Sequence, residues 1–126
     1  MPVDFSTVDT LQSALTYHRE RHTVLAGNVA NLDTPGYRPV DLQRRTADTP
    51  GTMAATQEGH LVAPAVTVDF VSSFDDGGAL QGSDGNAVTL EREMSKIDAN
   101  RTRYTTSAEL LTRRFAMLRY AAGDGT

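Results

Sequence analysis

His18 and His22 stand four residues apart with Glu20 between them. On a helix that spacing puts both imidazoles on one face, where they could chelate a divalent cation. The zincin pattern needs a glutamate directly after the first histidine, and Arg19 occupies that place. No third ligand is identifiable, so the expectation is no metal site, with both histidines acting as polar, register-setting positions in a helix seam, as Arg101 would in a second helix. Asp75-Asp76-Gly77 and Asp84-Gly85-Asn86 lack the spaced oxygens and terminal glutamate of a calcium loop and read as turns. Gly82-Ser83-Asp84-Gly85 lacks the lysine of a phosphate loop, and Asn100-Arg101-Thr102, a glycosylation sequon, falls in mid-helix. Nothing assigns serine, histidine and aspartate to nucleophile, base and orienter. The expectation is a protein that is not an enzyme, with no catalytic residue, no cofactor and no small-molecule substrate.

The elements that would position such residues are two apolar stripes, one at each end of the chain. Val8, Leu11, Leu15, His18, His22, Leu25, Val29 and Leu32 recur at alternating steps of three and four. So do Leu90, Met94, Ile97, Arg101, Tyr104, Ala108, Leu111, Phe115, Leu118 and Ala122. A 3-4 alternation stays on one helix face only if the helix supercoils against a partner. The chain therefore reads as mainly α, with two long terminal helices forming a coiled-coil-like hairpin or bundle with neighbours. The middle is read as irregular, with a short extended or β segment. By segment, residues 1–34 form the N-terminal helix, 35–88 the turn, loop and arm, and 89–122 the C-terminal helix.

The chain has 126 residues, 39% of them hydrophobic, a formal net charge of −4 and no cysteine. The acidic balance gives no general attraction to nucleic acid, and the arginines at 113, 114 and 119 suit the negative end of a helix dipole instead. Without cysteine there are neither disulfides nor thiolate metal sites. Met1-Pro2-Val3-Asp4-Phe5 lacks the basic and apolar regions of a cleaved secretory signal. Export, where it occurs, is expected to use a route that reads no such signal.

The first helix has Ser6, Thr7 or Asp9 available as N-cap, and Pro35 stops it by Thr34, since proline disfavours the α region for the residue before it. Thr34-Pro35-Gly36-Tyr37 then reads as a type II turn with a positive φ at Gly36. Thr89 is expected to cap the second helix, with Glu91 and Glu93 favouring its positive end. That helix meets no glycine or proline before Gly123, and its roughly 33 residues would span about 50 Å. A domain of this size cannot enclose it. Residues 38–60 read as an irregular loop, 61–71 as a strand or extended arm from the alternation of Val66, Val68 and Phe70, and 72–87 as a flexible link.

Residues 28–37, Asn-Val-Ala-Asn-Leu-Asp-Thr-Pro-Gly-Tyr, resemble the signature that ends the N-terminal helix of bacterial flagellar rod, hook and related axial proteins. Asn28, Ala30, Asn31, Thr34, Pro35, Gly36 and Tyr37 carry that resemblance. The stretches 84–94 and 109–120 are similar to the proximal-rod, FlgB-type branch of that family, and Ser107, three after Tyr104, departs from the asparagine usual in FlgC-type siblings. Gly27 and Leu32 also depart from the family pattern. The resemblance implies a structural subunit of the flagellar basal body, exported by the type III apparatus and joining the periplasm-spanning rod. It implies as partners further copies of itself, FlgC-type and distal rod proteins, the adaptor FliE, the export gate and the membrane ring. The helix packing and subunit interface would then use Val8, Leu11, Leu15, Leu25, Val29, Leu90, Met94, Ile97, Tyr104, Leu111, Phe115 and Leu118. Asn28 and Asn31 would bond to the turn or to a neighbour. The alternative is a soluble coiled-coil adaptor unrelated to flagella.

Overall fold

The computed structural model describes residues 5–46, 68–75 and 89–123. Its element order is α1 (Ser6–Ala30), β1 (Val40–Thr46), β2 (Val68–Phe74) and α2 (Leu90–Ala121). The two helices pack antiparallel, since His18 meets Asn100 while Asn28, further along α1, meets Glu93, earlier in α2. β1 and β2 form a two-stranded antiparallel sheet with Val40 opposite Phe74 and Thr46 opposite Val68. The chain is thus mainly helical, with a small sheet in its middle. No helix among the described residues is long and apolar enough to cross a membrane.

α1 ends as its proline demands. The last helical residue is Ala30, after which bonds from Asn31, Leu32 and Thr34 to carbonyls three or four residues back close shorter turns. Tyr37 N–H then bonds Thr34 C=O at 3.2 Å across Pro35-Gly36, and Gly36 takes φ +72°, as a type II turn requires. The start of α1 differs from expectation. Phe5 occupies the N-cap position without a side-chain cap bond, and Ser6, Thr7 and Asp9 lie within the helix. Thr89 does occupy the N-cap position of α2, in extended conformation, but its hydroxyl makes no cap bond.

The middle also differs. Val40–Thr46 is a strand inside a stretch read as irregular, and the second strand runs 68–74 rather than 61–71. β1 reads Val-Asp-Leu-Gln-Arg-Arg-Thr, too polar to announce itself by hydrophobicity. Its partners come from elsewhere in the chain. The expected arm at 61–67 and the turn signals from Asp76 to Asn86 lie outside the described residues.

α1 supports the sheet along the outer edge of β1. Tyr17 donates its hydroxyl to Leu42 C=O at 2.8 Å, and its ring lies 5.5 Å from that of Phe70. Among the described residues Val8, Leu25, Pro39 and Leu42 are apolar and buried.

Candidate functional site: the turn motif and the helix seam

Asn28 is fully buried and uses its whole amide. Nδ2 donates to Val40 C=O at 2.8 Å and to Glu93 Oε2 at 2.9 Å. Oδ1 accepts from Val40 N–H at 3.0 Å and from Tyr37 hydroxyl at 3.2 Å. A primary amide offers two donors and room for two acceptors, so none is left over. By taking both backbone groups of Val40, the side chain stands where a third strand would pair. It joins α1, the turn, β1 and α2 at one point.

The other motif residues arrange the approach to that point. Asn31 Nδ2 donates to Gly27 C=O at 2.8 Å, and Thr34 hydroxyl lies 3.5 Å from Asn31 Oδ1. Ala30 is the final, exposed helical residue, and Pro35 and Gly36 lie exposed at the turn. Tyr37 folds back over the helix end toward Asn28.

Glu93 is buried, with Oε1 2.6 Å from Lys96 Nζ and Oε2 on Asn28. Lys96 also reaches Asp75 Oδ2 at 2.5 Å, and Arg92 reaches Asp75 Oδ1 at 2.7 Å. Asp75 N–H bonds Pro39 C=O at 2.8 Å, prolonging the ladder beyond β2. A charge chain thereby ties the start of α2 to the end of the sheet. On the other side Arg21 grips Asp41 with two bonds of 2.7 Å. Burial pushes the Asp41 carboxyl up, but the hydrogen bonds and charge of Arg21, the Leu42 N–H and the charge of Lys96 outweigh it and hold it below the usual carboxylate value. The bonds that Arg21 donates to Asp41 in turn raise Arg21 against its own desolvation.

Further along the seam, His18 Nδ1 lies 2.8 Å from Asn100 Oδ1, and Asn100 Nδ2 donates to His18 C=O at 2.8 Å. Both residues are buried. His22, one turn on, is exposed, and among the described residues no group of three His, Cys, Asp or Glu side chains could hold a metal ion. The polar position in α2 is Asn100, not Arg101, which is exposed.

The predicted packing residues divide between the hairpin and its outside. Val8 and Leu25 are buried, and Leu11, Leu15, Val29, Ile97, Leu111 and Leu118 are half-buried. Leu90, Met94, Tyr104 and Phe115 are exposed, Met94 at 46% and Phe115 at 48%. The seam is turned by about one residue from the apolar stripe, because Glu93 and Asn100, seven apart, take the inward places beside Met94 and Arg101. Neither signalled itself: Glu93 reads as a dipole-favouring acid and Asn100 as part of a sequon, and their partners lie 65 and 82 residues away. Tyr17, Arg21, Asp41 and Lys96 are likewise placed by distant partners.

A family model described as flagella basal body rod protein matches residues 9–38, which take in most of α1 and the turn. The flagellar basal body rod protein FlgB of Aquifex aeolicus is 33% identical over 102 residues, covering 81% of both chains. The chain belongs to the FlgB family of flagellar rod proteins. FlgB of Salmonella typhimurium is 33% identical over 107 residues, covering 74% of this chain and 75% of that one. FlgB of Escherichia coli is 31% identical over 115 residues, covering 80% and 81%. In this FlgB-family chain the Asn28 junction falls inside the family-model match. Its counterpart Glu93 lies outside that match, in α2.

Proposed function

We infer that this chain is a structural subunit of the flagellar basal body rod, occupying the proximal end and assembling through its α1–α2 hairpin. Family membership supports the rod. The observation that carries assembly is the apolar surface α2 leaves uncovered in the single subunit: Met94, Tyr104 and Phe115 along the stripe, with Met117 at 62% and Tyr120 at 76% exposure near its end. α2 has 32 residues against 25 in α1. With His18 opposite Asn100, roughly the last ten residues of α2, about 15 Å, project past the start of α1. Neighbouring helices would cover that projection, at about 1.5 to 3 kcal/mol for each large side chain fully buried.

On this reading the subunit performs no catalysis. It crosses the inner membrane through the type III apparatus without a cleaved signal and then meets further copies of itself, FlgC-type and distal rod subunits, FliE, the export gate and the membrane ring. An adaptor unrelated to flagella would form a discrete oligomer in solution independently of flagellar genes, and the family relation removes its premise. A map of the intact basal body tests the proposal: the hairpin should line the rod with Met94 and Phe115 against neighbouring subunits. Finding those side chains facing solvent, or the subunit missing from the rod, would sink it.

A further inference from the structure

We propose that the His18–Asn100 pair is the register lock of the α1–α2 hairpin, a positioning device that sets how far α2 projects beyond α1.

Heptad stripes specify the face of a helix but leave its axial position open, since a slide of seven residues again sets apolar side chains against apolar ones. A buried polar pair removes that freedom when only one alignment satisfies it. Here the alignment is doubly specified. Asn100 gives its amide hydrogen to His18 C=O, which can only accept, so Oδ1 faces the imidazole and His18 Nδ1 carries the proton it donates. The asparagine thereby reads both the side chain and the backbone of one residue on the facing helix. Around the pair Ile97 is apolar, Tyr104 is exposed, and Arg19, His22, Asp98 and Arg101 are exposed on the rim of an open groove of about 530 Å³.

The two heptad slides each break something buried. Moving α2 one way sets His18 against Ser107 and Asn28 against Asn100, and carries Glu93 past Asn28. Moving it the other way sets His18 against Glu93 and leaves Asn100 without its partner. Both slides break the bonds that His18, Asn100, Asn28 and Glu93 make while buried, and that loss opposes them. The lock lies ten positions from the Asn28 junction in α1 and seven from Glu93 in α2, so it holds the seam well away from the turn. Its consequence for assembly rests on the rod reading, because the projecting end carries Phe115, Met117 and Tyr120. The register itself does not, and is measurable in the isolated chain.

The chain has no cysteine, so spin labels can be placed cleanly at Glu20→Cys and Arg119→Cys, both exposed. The vector between them runs close to the helix axis, and a slide of one heptad changes its length by about 10 Å. The parent should show one narrow distance by pulsed electron resonance. Asn100→Leu alone should lower Tm by stranding the imidazole Nδ1–H and removing the second bond to the His18 carbonyl. Because the Asn28–Glu93 bond also resists a slide, the distances are compared in a Glu93→Leu background, where the intact His18–Asn100 pair should keep the parent's single distance. Adding His18→Leu with Asn100→Leu to that background should produce a second distance population displaced by about 10 Å. Should that apolar pair not fold, the same distance is read in Asn100→Ser, which removes both bonds and keeps a small polar side chain. A single distance retained when both the Glu93 contact and the His18–Asn100 pair are removed overturns the lock, as does a parent without one.

Discussion

Asn28 has no spare hydrogen-bonding capacity, which makes its chemistry testable atom by atom. Asn28→Asp keeps the shape but replaces both donor hydrogens with lone pairs, one facing Glu93 Oε2 and the other Val40 C=O. Urea unfolding should show a loss of about 3 kcal/mol or more, since a buried like-charge contact adds to two lost bonds; a loss below about 1 kcal/mol would contradict this account of the junction. At Gly36, φ of +72° is a conformation that a β-branched residue adopts only under strain. Gly36→Val should misdirect the chain leaving the turn, so that export continues while rods fail to form; normal rods in such cells would refute it. Gly27 behaves oppositely, because a Cβ added there meets nothing within 4 Å. Gly27→Ala should therefore stabilise the chain by about 0.5 to 1 kcal/mol, read as a raised Tm.

The elements are joined mainly by polar contacts. α1 holds β1 through Tyr17, Asn28 and Arg21, and α2 holds the end of β2 through Lys96 and Arg92. An isolated two-stranded ribbon is marginal in water, so these ties decide whether the sheet persists. The Arg21–Asp41 pair makes that dependence a function of pH. The folded Asp41 carboxyl titrates below its ordinary value of 3.8, so its contribution is complete above that value and is lost as pH falls through the lower folded value. Unfolding followed from pH 7 to pH 2 should show this decline. Asp41→Asn should flatten that part of the profile and lower stability at pH 7 by about 2 kcal/mol, the range for a charge-assisted bond of restricted exposure. An unchanged acid profile in the variant would mean the pair contributes nothing.

At the scale of the molecule, α2 leaves Phe115, Met117 and Tyr120 exposed in the single chain, the surface proposed for assembly. Substituting Phe115→Asp and Met117→Asp together separates folding from assembly, because both side chains are already exposed in the single chain. The isolated variant should unfold within about 0.5 kcal/mol of the parent, as surface changes generally do. Cells carrying it should export the subunit and build no rod. A large loss of stability in solution would instead place these residues in the subunit's own core, and normal motility would remove them from the interface.

Local sequence was enough for the features that depend on local chemistry. Pro35 cannot continue a helix and Gly36 alone enters the positive-φ region easily, so the stop of α1 and its type II turn follow from four consecutive residues. Apolar periodicity similarly announced two long helices. Tertiary contact decided which side of α2 faces α1. Apolar periodicity ranks Met94 and Arg101 by their place in the stripe, whereas Glu93 and Asn100 take the inward positions because Asn28 and His18 are there to satisfy them. β1 was hidden for the same reason: its polar residues form a strand because Phe70, Val71 and Ser73 pair with them across the sheet and α1 occupies its outer edge. A buried polar group is stable only when its partner arrives, and a partner 65 or 82 residues away leaves no mark on the local pattern.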